Sequence, residues 1–94
     1  MTTEERVKQA IRILREAGPG PEFNLYLLGL KTEDPLAFSM VEIFVHNARN
    51  QYPLAVRKGV RLLPRVSGET WLAYRLFRSI SIAYVGMGEM EAGE

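Results

Sequence analysis

The sequence predicts an all-α fold, a small bundle of about five helices with antiparallel hairpins, in a single domain over residues 1–94. Three observations predict it. In the stretch from Gly68 to Ala92, Leu72, Leu76, Ile80 and Ala83 recur at helical spacing, and Ala73, Phe77 and Tyr84 widen the stripe. Prolines at Asp34-Pro35 and Tyr52-Pro53 stand where a first helical residue belongs. Gly18-Pro19-Gly20-Pro21 breaks the chain between apolar-periodic segments, since proline cannot continue a helix and glycine suits its cap. A helix apolar over so much of its circumference as 69–87 needs cover from more than one side, so the other segments should pack around it.

The elements follow in order. Thr2 and Glu5 have the spacing of a capping box, and Val7, Ala10, Ile11, Leu14 and Ala17 then mark one face of a helix over 3–17. Residues 22–31 are short and very apolar. Phe23, Leu25 and Leu27 alternate as in a strand, whereas Phe23, Leu27 and Leu30 fit a helix, which the helical neighbours favour. Asp34 as N-cap with Pro35 at the first position opens a helix over 35–50, with Leu36, Met40, Val41, Phe44, Val45 and Ala48 at helical spacing. A fourth helix spans 53–63, with Leu54, Val56, Val60 and Leu63 on its buried side and Pro64 as its stop. The fifth covers 69–87, closed by Gly86 and Gly88, and the remaining tail is too short for a stable element unless it docks. The alternative fold is a small α/β domain pairing 22–30 and 78–85 as strands.

Composition narrows the function classes. The 94 residues include no cysteine, which excludes disulfides, thiolate metal sites and cysteine nucleophiles. The N-terminus is charged and amphipathic rather than signal-like, and no window has the uninterrupted apolar length of a membrane span, so the expected location is the cytoplasm. Net charge is only +1, but it is uneven. Residues 1–48 carry five basic against seven acidic residues, and residues 49–78 carry seven basic residues against Glu69 alone.

Candidate chemistry is thin. His46 is the only histidine, and Glu42 is its nearest carboxylate by helical spacing. Neither a nucleophile for a general base nor a metal-ligand set accompanies it, so it reads as a surface or satisfied helix histidine. Glu33 and Asp34 are adjacent carboxylates that a helix N-terminus explains. Gly-Pro-Gly-Pro and Gly-Met-Gly lack the context of a phosphate cradle. No enzymatic activity, cofactor, metal or small-molecule substrate is expected.

The basic third has more content. Arg57, Arg61 and Arg65 lie one turn apart on one ridge with Lys58 beside it, and Arg75 and Arg78 share a face near Trp71 and Tyr74. Guanidinium groups near aromatic rings suit phosphates and unstacked bases, and equally suit carboxylates or a protein interface.

Phe77, Ile80, Ser81, Ala83, Tyr84, Gly88, Glu89 and Met90 resemble the first helix and turn of a tetratricopeptide repeat, with Ser81 at the small position and Gly88-Glu89 as the turn. Tyr52 to Pro64 resembles the second helix of a preceding unit, with Ala55 well placed. The likeness covers residues 41–92 and implies repeat-like helical hairpins and a contact surface. The expectation is therefore a non-enzymatic protein–protein interaction module, an adaptor or assembly domain that pairs as a homodimer. Trp71, Tyr74, Phe77, Tyr84 and Tyr52 are its expected interface. The alternative is a nucleic-acid-binding protein that uses Arg57, Lys58, Arg61, Arg65, Arg75 and Arg78.

Overall fold

A computed structural model describes residues 1–92, with side chains through residue 89. It contains five helices: α1 (Thr3–Ala17), α2 (Pro21–Glu33), α3 (Pro35–Ala48), α4 (Tyr52–Val66) and α5 (Thr70–Ala92). Among the described residues there is no strand, and both 22–30 and 78–85 are helical. The chain forms two compact units, Met1–Val41 and Glu42 onward, with the boundary inside α3.

In the first unit α1 packs on α2. Thr2 accepts the Glu5 N–H at 3.1 Å and its own N–H donates to Glu5 Oε1 at 3.0 Å, closing the capping box. Hydrogen bonding from the Thr2 backbone holds the Glu5 carboxyl below its ordinary pKa. Gly18, at φ 74°, ends α1 by donating to the Leu14 carbonyl at 3.0 Å. Val7, Ala10, Ile13, Phe23 and Leu30 are buried here. Ile13 lies off the stripe expected for α1, and Ala17, at the helix end, is exposed.

Asp34 is the polar centre of this unit and only 8% exposed. Its Oδ1 accepts the Ala37 N–H at 3.1 Å, as an N-cap should. Its Oδ2 accepts from the Thr3 hydroxyl at 2.8 Å and from Arg6 Nη1 at 3.0 Å. Burial alone would push its pKa up, but these donors and the Arg6 charge outweigh that, and the carboxyl titrates below its ordinary range.

In the second unit α4 packs on α5, and a three-residue connection, 67–69, makes them an antiparallel hairpin. Asn50 takes φ 59° after α3, which therefore ends at Ala48 rather than Asn50. Asparagine tolerates this left-handed conformation, and the Gln51 N–H closes the end on the His46 carbonyl at 2.8 Å. Pro64 does not stop α4, which runs to Val66. Only two helical residues follow the proline, and the complete burial of Val66 favours keeping that last turn helical.

The buried side of α4 also differs from expectation. Ala55, Gly59, Leu62 and Val66 are buried, whereas Val60 is 50% exposed. The reason is close approach: a Cβ at Gly59 would lie 2.6 Å from Ile80 Cγ1 and 3.6 Å from Leu76 Cδ1. Leu72, Leu76, Ile80 and Ala83 form the buried strip of α5, as the periodicity predicts. Gly86 and Gly88 do not close α5, which continues to Ala92. A helical glycine costs about 1 kcal/mol relative to alanine and ends a helix only by taking another conformation. The Gly88-Glu89 turn of the repeat resemblance is therefore helix here, and the tail beyond Ala92 lies outside the described residues.

Candidate functional site

The feature that stands out in the second unit is the outward face of α5. Tyr74 is 60% exposed, Phe77 58%, Ile82 47%, Tyr84 58% and Val85 62%. With about 100° per residue, these positions share an arc of less than half the circumference, opposite the buried strip. A stretch of exposed large apolar side chains on one helix is a different matter from single apolar residues scattered over a surface.

The expected interface residues are not all in this arc. Tyr74, Phe77 and Tyr84 lie on it. Trp71 is half-buried, with the Arg75 guanidinium 5.8 Å from its ring centroid. Tyr52 is half-buried and seated on Gly86, where a Cβ would fall 2.5 Å from Cζ of its ring, and its hydroxyl donates to Asn50 Oδ1 at 2.7 Å. Tyr52, Arg78, Ile82, Val85 and Glu89 line an open cleft of about 340 Å³ beside this arc. Ile82 and Val85 were absent from the expected interface. Their exposure could have been read from their spacing to Tyr74 and Arg78, on the side of α5 away from Leu76.

The expected basic set does not stay together. Arg57, Arg61 and Arg65 form an exposed ridge on α4, and among the described residues none of them has a carboxylate partner. Arg78 is likewise exposed. Arg75 instead turns inward, with its guanidinium 4.9 Å from the Phe44 ring centroid, so it does not share a binding face with Arg78. Lys58 belongs to a different cluster: its Nζ donates to Glu42 Oε1 and to His46 Nε2, both at 2.9 Å.

That cluster completes the surroundings of His46, whose Nδ1 lies 2.8 Å from Gln51 Oε1. The bonds are satisfied by a neutral imidazole with its proton on Nδ1, accepting from the lysine at Nε2. With both ring nitrogens engaged by side chains, the group ties α3 to α4. Asn47 adds a second tie, its Nδ2 donating to the Ser79 carbonyl at 3.0 Å. Among the described residues, no three histidine, aspartate or glutamate side chains gather as a metal site, and no helix is long and apolar enough to cross a membrane.

The first unit carries a second open cleft, about 400 Å³, lined in part by Arg6, Leu25, Tyr26 and Glu33. Leu25 is 72% exposed and Leu28 64%, a smaller apolar strip on α2. No family model, no curated protein and no solved structure matches the chain.

Proposed function

We propose that this chain is a non-enzymatic protein-contact module that pairs with a second copy of itself through the outward face of α5. The observation that carries the reading is the run of Tyr74, Phe77, Ile82, Tyr84 and Val85 on one helix, each about half exposed or more. Exposed apolar surface of this kind adds nothing to the fold of a lone chain and marks a partner site. A closed twofold pair is the commonest way to cover it. The α4–α5 hairpin is the scaffold of this proposal, a repeat-like pair without the turn that the resemblance expected. The engagement of Asp34 by three donors and of His46 by two side chains supports a structural rather than a catalytic role for both.

Light scattering behind size exclusion at micromolar concentration tests the reading. The expected mass is twice the 10.7 kDa of the chain. A monomer mass overturns self-association.

One observation favours a second reading, nucleic-acid binding: the exposed ridge of Arg57, Arg61 and Arg65 on α4. Affinity for DNA or RNA should then be measurable at low salt and fall steeply as salt is added, because phosphate contacts release counterions. Glutamate at Arg57 and Arg61 should abolish it. The engagement of Lys58 and Arg75 elsewhere leaves this surface narrower than the sequence indicates, and the net charge of +1 is low for a dedicated binder.

A further inference from the structure

Arg78, Ile82, Val85 and Glu89 follow one another on α5 at intervals of four, three and four residues, so they lie on one stripe of the helix. All four line the cleft beside Tyr52. All four are exposed, and among the described residues neither Arg78 nor Glu89 has an ion-pair partner. They cannot pair with each other within the chain, because eleven residues of helix separate them by about 16 Å. The stripe thus has a cation at one end, an anion at the other and two apolar residues between.

Such a stripe is complementary to itself when reversed. A twofold axis crossing α5 between Ala83 and Tyr84 sets Arg78 against the partner's Glu89, Glu89 against the partner's Arg78, and Ile82 against the partner's Val85. This is what an isologous interface requires, where residue i meets j and j meets i. A parallel arrangement would instead oppose arginine to arginine and glutamate to glutamate, which is repulsive. The 4-3-4 spacing is also that of the apolar seam through which two helices pack side by side.

We propose that two copies of this chain associate through antiparallel pairing of their α5 helices in this register. Ile82 and Val85 form the apolar centre, the Arg78–Glu89 pairs close its two ends, and Tyr52 borders the cleft that receives the partner helix. The inference rests on the self-association proposed above and adds to it the orientation, the register and the residues that determine both.

Charge reversal tests the register. Arg78→Glu places two glutamates together at each end of the seam, and Glu89→Arg places two arginines together. Each single variant should weaken dimerisation at least tenfold by sedimentation or light scattering over a concentration series. Mixing the two single variants should restore association as a one-to-one pair, since both contacts then join opposite charges. The double variant R78E/E89R should dimerise like the parent chain. Both side chains are exposed, so unchanged far-ultraviolet circular dichroism is the control for folding. A parent dimer that both single variants retain undiminished, or single variants that do not associate when mixed, overturns the register and leaves self-association standing. A monomeric parent chain overturns both.

Discussion

Gly86→Ala sets two effects of known sign against each other. Gly86 lies inside α5, six residues before its last residue, Ala92. Alanine is the better helix former there by about 1 kcal/mol, so propensity alone makes the variant more stable. The added Cβ, however, would lie 2.5 Å from Cζ, 2.6 Å from Cε2 and 2.7 Å from Cε1 of Tyr52. Three atoms of one rigid ring cannot yield separately. Either the whole tyrosine side chain swings, taking its hydroxyl from Asn50 Oδ1, or the start of α4 moves away from α5. Overpacking of this kind costs about 1–3 kcal/mol, and the exposed hydrogen bond adds no more than about 1 kcal/mol. The expected net result is a loss of up to about 3 kcal/mol.

Gly29→Ala in α2 is the reference, because nothing lies within 4 Å of a Cβ there. It should stabilise by about 0.5–1 kcal/mol. Urea unfolding of both variants, at protein concentrations low enough to keep every chain monomeric, measures the difference. In a Tyr52→Ala background the penalty at Gly86 should vanish and Gly86→Ala should itself stabilise by about 1 kcal/mol. If Gly86→Ala stabilises the unaltered chain as much as Gly29→Ala does, Tyr52 is not seated on Gly86 and the reasoning fails.

Leu76→Ala should cost about 2–5 kcal/mol, because Leu76 is completely buried, while Arg61→Ala on the exposed ridge should stay within about 0.5 kcal/mol by the same denaturant assay. Gly59→Ala should destabilise by up to about 2 kcal/mol despite better helix propensity, since its Cβ meets Ile80 Cγ1 at 2.6 Å, and a gain in urea midpoint would contradict the close α4–α5 approach. For Asp34, with its folded pKa depressed, the unfolded chain binds a proton more readily. Its stabilisation is therefore complete above about pH 4, the ordinary aspartate value, and is lost as pH falls through the folded value. Asp34→Asn, which keeps a capping side chain, should flatten that acid-side decline in thermal melts taken from pH 5 to pH 2.

What was legible in the sequence is what local chemistry determines. Thr2 with Glu5, Asp34 with Pro35 and Gly18 act within a few residues of themselves, and each behaves as its spacing implies. The face of α4 was not legible to a reading that weights residue size. Val60 has more to gain from burial than Gly59, yet Gly59 is buried because a missing side chain lets Ile80 come close. The usable signal was Ala55, Gly59, Leu62 and Val66 at intervals of four, three and four, with the smallest residue in the middle of the turn. The partners of Asp34, Thr3 and Arg6, lie 31 and 28 residues away, and no periodicity links such distant positions. The same holds for Arg75. Its spacing to Arg78 matches a shared basic face, but Phe44, from another helix, offers an aromatic ring that draws the guanidinium inward.

The division of α5 explains why its outer face stays open in this unit. Through Gly59, α4 approaches the strip of Leu72, Leu76, Ile80 and Ala83. The second half of α3 takes the adjoining flank, where Phe44 meets Arg75 and Asn47 reaches the Ser79 carbonyl. Tyr52 extends that cover to Gly86. Two neighbouring helices can enclose little more than half the circumference of a third, and among the described residues of this unit nothing else is placed against the remainder. A helix stabilised only by its own chain needs apolar residues on the enclosed half and is better served by charged ones outside. In α5 the outer half instead carries Tyr74, Phe77, Ile82, Tyr84 and Val85, with Arg78 and Glu89 as its exposed charges among the described residues. That pattern is costly in solubility and gains the lone chain no core. In the proposed pairing a second α5 would cover it, and the two charges would close the seam rather than interrupt it.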